Sequence, residues 1–474
     1  VSAVLPGIVQ SLDATARSAP GRVAVIDRGV AISYDDLALR SRLWASWLLR
    51  QGIAPGMRVG LTLRDELTHL MASLALLRLG CVQVTLASHE PIAQRADLAA
   101  RLGLAVMLGD APEDAPDGVG LLCPDPAAIA AGAEAALPPA PEGGFVFASS
   151  GTTGRPKLVP MRERTLAAQA GLTAGHGRVR HRLVTAEFAN GQRLRMQTIW
   201  IGGTEVLANN GAGRSLAATC ATFGVDRLNL SPLRAATLAA EAEAWPAGTA
   251  IMISGGPVPG PLRAELQARV TRQVMVNLGC TEAGGIAIAM PDDHAIHPDT
   301  VGFPFPGTEL RIADEHGRAL PRGERGFIRI RSPGCVEGYL DDPETTARAF
   351  RDGWFIPGDI GHLTPEGALV LAGRGDDMMN LGTIKIFPAE IEAMARGFPG
   401  VADCAAFALR SRAVGDIPVL VVVPADGFDA AALLAHGRAR LGLRAPRKVI
   451  TLPALPRNAA GKVLRRELAA MVRE

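Results

Sequence analysis

The sequence predicts an α/β enzyme that ends in a separate, smaller α+β unit. Three observations carry this. Short apolar runs alternate with helix-patterned stretches through roughly the first 300 residues, the texture of parallel sheets covered by helices. From Gly302 the pattern becomes short alternating strands split by Gly and Pro turns, which suits a small antiparallel barrel or sheet. After Arg374 about 100 residues remain, enough for an independent core.

Taken in order, Asp36 to Leu49 carries apolar residues at helical spacing, Met57 to Leu63 reads as a strand, Asp65 to Leu79 as a helix and Cys81 to Leu86 as a buried strand. Ala111 to Pro141, rich in Ala, Pro and acidic residues, reads as a loose surface connection. Strands are expected again at Arg182 to Thr185, Thr204 to Ala208, Arg227 to Leu230 and Ala250 to Ser254. In the last segment the order is strand (Lys385 to Ile386), helix (Ala389 to Arg396), strands (Ala402 to Leu409, Val419 to Val423), helix (Ala430 to Leu441) and strand (Lys448 to Leu452).

Composition narrows the function. With 48% hydrophobic and 20% charged residues among 474, the chain is globular and not disordered. A net charge of +2 removes the electrostatic case for nucleic-acid binding. The six cysteines are scattered and none forms a C-x-x-C pair, which argues against a zinc ribbon or a disulfide scaffold and fits a reducing, cytoplasmic setting. The first residues lack the basic start and apolar centre of a secretion signal, and no apolar run is long enough to span a membrane.

Four stretches carry chemistry. In FVFASSGTTGRPKLVP an apolar strand runs into Ser149, Ser150, Gly151, Thr152, Thr153 and Gly154, followed by Lys157. Glycines let backbone N–H groups turn inward, hydroxyls add donors and the lysine adds charge, a combination that wraps a polyphosphate. In NLGCTEAGG, Thr281 and Glu282 follow a strand and a Gly turn; a hydroxyl there suits a phosphate and a carboxylate suits Mg²⁺, although Thr-Glu is also a common helix start. Upstream, Gly255 and Gly256 after another strand allow a flat base to approach the backbone, or make only a tight turn. In GWFIPGDIG and the following GRGDD, Asp359 and Arg374 suit a ribose diol. Lys462 follows a Gly turn near the C-terminal end; by itself it reads equally as a solvated surface lysine.

Taken in order, SSGTTGRPK, SGGPVP, GCTE, GWFIPGD, GRGDD and PRNAAGK resemble the signature series of the adenylate-forming superfamily, which includes acyl- and aryl-CoA synthetases and peptide-synthetase adenylation domains. The resemblance runs from about residue 20 to the C-terminal end. It implies a large N-terminal domain, residues 1–375, of two α/β subdomains plus a small β-barrel, and a mobile α+β lid, residues 376–474, with Asp376 as hinge. It also implies two half-reactions: Mg·ATP and a carboxylic acid give an acyl-adenylate and pyrophosphate, and a thiol then displaces AMP.

By the same resemblance Ser149 to Gly154 and Lys157 form the phosphate loop, and Thr281 contacts the α-phosphate while Glu282 holds Mg²⁺. Gly255, Gly256, Pro257, Asn277, Leu278 and Gly279 would line the nucleotide, Asp359 and Arg374 would bind ribose, and Lys462 would bridge the carboxylate and the α-phosphate. Leu278 replaces a frequent aromatic residue, Pro357 a frequent Thr or Ser, and Thr383 a frequent Gly.

The acid pocket is expected at Phe188, Ala189, Asn190 and Gly191. Ala189 stands where amino-acid-activating relatives have an ammonium-binding Asp, and the string is similar to benzoate-type CoA ligases. Arg193 and Arg195 are expected either to meet a second carboxylate or CoA phosphates, or to face solvent. The resulting expectation is an AMP-forming acid–CoA ligase for an aryl or small acid, using ATP, Mg²⁺ and CoA, as monomer or homodimer. The alternatives are a stand-alone ligase that loads a phosphopantetheinyl carrier protein and a ligand-binding relic without catalysis.

Overall fold

A computed structural model describes residues 5–149, 156–173, 175, 177–183, 185–211, 213–241, 244–256, 258–381, 384–411, 415–458, 461 and 463–472. Two sheets build the N-terminal part. In one, the parallel strands Arg58–Thr62, Val82–Thr85, Val106–Gly109, Gly120–Leu122 and Gly144–Ser149 end on the antiparallel strand Lys157–Arg162. In the other, Val23–Asp27, Thr204–Val206, Val179–Arg182, Arg227–Leu230, Ala250–Ser254 and Val274–Cys280 run parallel, and Gly284–Ala289 and Thr300–Pro304 continue antiparallel.

Helices Tyr34–Arg50, Glu66–Arg78 and Ala189–Trp200 supply the apolar faces that the sheets need, and one continuous core joins them. Glu66–Arg78 is buried on nearly every side, which its run of Leu, Met and Ala permits. Ser33 and Asp65 cap the first two of these helices by accepting from the backbone N–H of Asp36 and Thr68.

The sequence reading of the first strands and helices agrees with the structure to within a few residues. Two expectations do not hold. The strand expected at Arg182 to Thr185 ends at Arg182 and begins at Val179. The supposed loose connection holds a 3₁₀ turn, Pro112–Asp114, the sheet strand Gly120–Leu122 and the short helix Pro126–Ala130, whose N-cap is Asp125.

The expected barrel is an open antiparallel extension of the second sheet among the described residues. Leu369–Arg374 pairs with Thr300–Pro304, then Asp359–Leu363, Gly326–Arg331 and Trp354–Phe355 follow outward. The end strands are two residues long, too short to pair back and close a ring. Gly302 makes the join possible: its φ is +83°, and a Cβ there would lie 1.8 Å from the Ile288 carbonyl oxygen.

After Arg374 the chain makes one 3₁₀ turn, Gly375–Asp377, and starts a third sheet at Met379. Val401–Ser411 and Gly415–Pro424 form its long hairpin, with Lys448–Thr451 parallel at one edge. Helices Pro388–Arg396 and Ala430–Leu441 cover one face, and Leu468 of the helix Arg465–Met471 packs on the other. Its contacts with the N-terminal part are both apolar and polar: Phe387 packs in one buried cluster with Ile360 and Ala372. Arg325 pairs with Glu390, which also takes Arg444 of its own unit at 3.1 Å. No helix among the described residues is long and apolar enough to cross a membrane.

Candidate active site

A cavity of about 1860 Å³ lies at the carboxyl ends of the parallel strands, between the large sheet and the C-terminal unit. It exceeds the roughly 300–1,000 Å³ of a single small-molecule pocket, so it has room for more than one ligand. Strand ends and turns deliver its wall: Gly255 and Gly256 after Ala250–Ser254, and Asn277, Leu278 and Gly279 within Val274–Cys280. Thr281 and Glu282 follow on the turn that leads into Gly284–Ala289, not at a helix start. Asp359 and Arg374 face each other across neighbouring antiparallel strands, and Lys157 enters from the other sheet.

The details suit a nucleotide. Gly255 has φ +95° and open space where a side chain would stand, so the turn leaves a flat surface beside the strand end. The buried Asn277 Oδ1 has no hydrogen-bond partner among the described residues, an acceptor matched to an exocyclic amine. Arg374 donates to Asp359 Oδ1 at 3.2 Å and to the Pro357 carbonyl at 2.9 Å. The backbone of Pro357 thus serves the arginine directly, and its lack of a hydroxyl costs the pair nothing.

Glu282 is 8% exposed and accepts from the Tyr339 hydroxyl at 3.0 Å. Burial and this carboxylate push the Tyr339 phenol upward, so it stays a donor. The Lys157 ammonium sits 4.9 Å from the centre of the Tyr339 ring. Among the described residues no group of three or more His, Cys, Asp or Glu is placed to hold a metal ion. A single buried carboxylate on the cavity wall fits Mg²⁺ that arrives with ATP, because that ion keeps most of its shell on phosphate and water. Cys280 also lines the cavity, and burial holds its thiol well above the usual range, so it supplies no thiolate.

Of the expected acid-pocket residues, Phe188 and Asn190 line the cavity. Ala189 and Gly191 do not: Ala189 packs against the main core and Gly191 is buried in the helix. The helix begins at Ala189, so the cavity face recurs at Asn190, Arg193, Leu194 and Gln197, the spacing of one helical stripe. Phe188 stacks on His89, 4.8 Å between ring centres.

The solvent-facing reading fails for Arg195, while Arg193 is half-buried on the cavity wall. Arg195 is buried and paired with Glu66. Arg193 lines the cavity, donating to Gln169 Oε1 at 2.9 Å and Asn190 Oδ1 at 3.0 Å. Gln169 in turn donates to the carbonyls of Thr281 and Gly334, at 3.3 and 2.9 Å.

Ser150, Gly151, Thr152, Thr153, Gly154, Pro257 and Lys462 lie outside the described residues. Ser149 and Asp376 are described through their backbone, at the end of a strand and in the 3₁₀ turn. The turn before Lys462 faces the site: Arg457, Asn458 and Gly461 line the cavity, and a Cβ on Gly461 would lie 3.4 Å from Leu233. Sequence reasoning missed Tyr339 and Gln169. The Gly-Tyr pair before the helix start at Pro343 was the available signal for the first, and nothing marked the second.

Comparison with known proteins agrees with this geometry. The profile described as AMP-binding enzyme matches residues 12–340, and that of the AMP-binding enzyme C-terminal domain matches residues 390–462. A feruloyl-CoA synthase of Amycolatopsis sp is 30% identical over 486 residues, covering 96% of each chain. A 2-succinylbenzoate–CoA ligase of Geobacillus kaustophilus is 30% identical over 481 residues, again 96% of each. The o-succinylbenzoate CoA synthetase of Bacillus subtilis, solved with its acyl-adenylate intermediate, shares the fold with a TM-score of 0.87 at 24% identity, covering 97% of each chain. With a matching profile over most of the chain, relatives aligned along nearly all of it, and the signature residues gathered on one cavity, the protein is a member of the AMP-binding enzyme family.

Proposed function

We propose that this protein is an AMP-forming acid–CoA ligase that takes an aryl or small carboxylic acid. The observation that carries the reading is the convergence of Asn277, Thr281, Glu282, Asp359 and Arg374 on one cavity that the C-terminal unit also walls. Full-length similarity to a feruloyl-CoA synthase and a 2-succinylbenzoate–CoA ligase supports both the CoA acceptor and an aromatic acid.

The first half-reaction joins two anions, so its barrier is repulsion and charge build-up on phosphate. Fixed donors and positioning are the remedy. In this reading Asn277 and the Gly255–Gly256 turn receive adenine, with Leu278 as an aliphatic cover, and Asp359, steadied by Arg374, accepts from the ribose hydroxyls. The phosphate loop up to Lys157 and the Thr281 hydroxyl orient the phosphates, while Glu282 would hold Mg²⁺. Bound there, Mg²⁺ neutralises phosphate charge. Lys462 reaches both reacting oxygens and lowers their repulsion as the carboxylate attacks the α-phosphorus and pyrophosphate leaves.

In the second half-reaction the CoA thiol attacks the acyl carbonyl and AMP leaves. Lys462 and the thiol need the same region, so residues 376–474 turn as a lid about Asp376, against residues 1–375. The free cysteines among the described residues fit a cytoplasmic enzyme.

The test is pyrophosphate release across a panel of acids, followed by CoA addition and detection of a thioester. Thioester formation on an aryl acid is expected. Pyrophosphate release with transfer only to a phosphopantetheinyl carrier protein would replace the acceptor. No pyrophosphate with any acid would leave the binding relic.

A further inference from the structure

We infer that the acid bound by this enzyme carries a second acidic group close to the reacting carboxylate, and that Arg193 receives it. This rests on the ligase reading above. Five arginines stand in and behind the polar side of the acid pocket, and of these Arg182, Arg193 and Arg227 line the cavity. Strand Val179–Arg182 contributes Arg180 and Arg182, its neighbour Arg227–Leu230 contributes Arg227, and the helix Ala189–Trp200 contributes Arg193 and Arg195. Two of these are held by carboxylates: Arg182 pairs with Glu205, and Arg195 with Glu66. The first pair joins two strands of one sheet, with Arg182 also donating to Thr198 of the helix, and the second joins two helices; both are structural.

Arg193 differs. Both of its hydrogen-bond partners among the described residues are neutral amides, Gln169 and Asn190, and no carboxylate there lies within ion-pair distance. Its guanidinium is enclosed by the cavity wall, and burial lowers its pKa to about 10, still high enough to remain charged. Its hydrogen bonds go to neutral groups and Glu282 acts on it only from beyond ion-pair distance, so an anion brought to the guanidinium is favoured. Arg182 and Arg227 also line the cavity. A guanidinium has five N–H donors in a planar fork, suited to a carboxylate.

Position fixes the spacing of the two acids. Gln169 touches both Arg193 and the Thr281 carbonyl, so one glutamine side chain separates the guanidinium from the residue assigned to the α-phosphate. An acid group held by Arg193 therefore sits a few bonds from the carboxylate that is adenylated. Ortho-related aromatic diacids and short aliphatic diacids meet this; para-related ones do not.

The experiment measures kcat/KM for pyrophosphate release with matched acids: benzoate, phthalate, isophthalate and terephthalate, and butanoate against succinate and glutarate. The close diacids are expected to exceed their monoacid partners at least tenfold. In Arg193→Gln that ratio should collapse toward one, and Arg193→Lys should restore part of it. Titration calorimetry of phthalate and benzoate on both variants reads the same preference without turnover. A wild-type preference for monoacids, with pyrophosphate released, overturns the inference and leaves the ligase reading intact. An equal loss on monoacids and diacids in Arg193→Gln overturns it as well, since Arg193 would then hold the reacting carboxylate. Failure of every acid removes the ligase reading itself.

Discussion

Tyr339→Phe isolates one hydrogen bond at the proposed metal-binding carboxylate. The ring is kept, so the Lys157 contact at 4.9 Å and the edge contact with Phe350 at 5.6 Å persist. What goes is the 3.0 Å bond from the hydroxyl to Glu282. A hydrogen bond to a charged group contributes roughly 1.5–3 kcal/mol, or about 10- to 150-fold in an equilibrium constant. Freed from Tyr339, Glu282 regains rotamer freedom that it must lose again on meeting the metal. Initial rates of pyrophosphate release, titrated in Mg²⁺ at fixed ATP, are expected to show half-saturation raised about tenfold or more. AMP binding without Mg²⁺ serves as the control for pocket shape. An unchanged Mg²⁺ dependence, or an equal loss of AMP binding, would refute the role assigned to this pair.

Three further outcomes are expected. Lys462→Ala should cut pyrophosphate release by roughly 10²–10³ or more while thioester formation from pre-formed acyl-adenylate survives; near-normal pyrophosphate release would sink the assignment. Asp376→Pro locks φ near −65° and should spare pyrophosphate release within about tenfold while suppressing thioester formation far more, and equal slowing of both would withdraw the hinge. His69 is buried with a pKa lowered by burial from 6.5 to about 4, so the unfolded chain takes up a proton before the folded one does. Stability is therefore full above the unfolded value and declines as pH falls toward the folded one, by as much as ~3 kcal/mol. His69→Gln should flatten that decline in denaturant midpoints, and an unchanged acid slope would count against it.

Strands with apolar residues, such as Arg227–Leu230 and Ala250–Ser254, were legible because their burial is written in their composition. Val179–Arg182 was not, because its sequence VRHR reads as polar surface. Arg182 is buried against Glu205 and Thr198, 23 and 16 residues on, and no local pattern announces that. The site divides in the same way. Of the short-motif residues, Gly255, Gly256, Asn277 to Gly279, Thr281, Glu282, Asp359 and Arg374 line the cavity. Tyr339 and Gln169 act across 57 and 112 residues of sequence, so only the fold brings them in. The acid pocket failed in its phase: four consecutive residues cannot share one face of a helix.

The double use of Glu390 bears on the proposed lid motion. If Arg325 were its sole partner, each opening would leave a carboxylate stripped of its cation. Arg444 travels with Glu390 on the same unit, at 3.1 Å, and goes on neutralising it after Arg325 lets go. Arg325 is half exposed, and water takes over its solvation at once. This ion pair thus adds only about 0–1 kcal/mol, beside the apolar packing of Phe387 with Ile360 and Ala372. Added salt should therefore change the balance between the two arrangements proposed for the lid by no more than about fivefold, because the electrostatic part of the contact is weak.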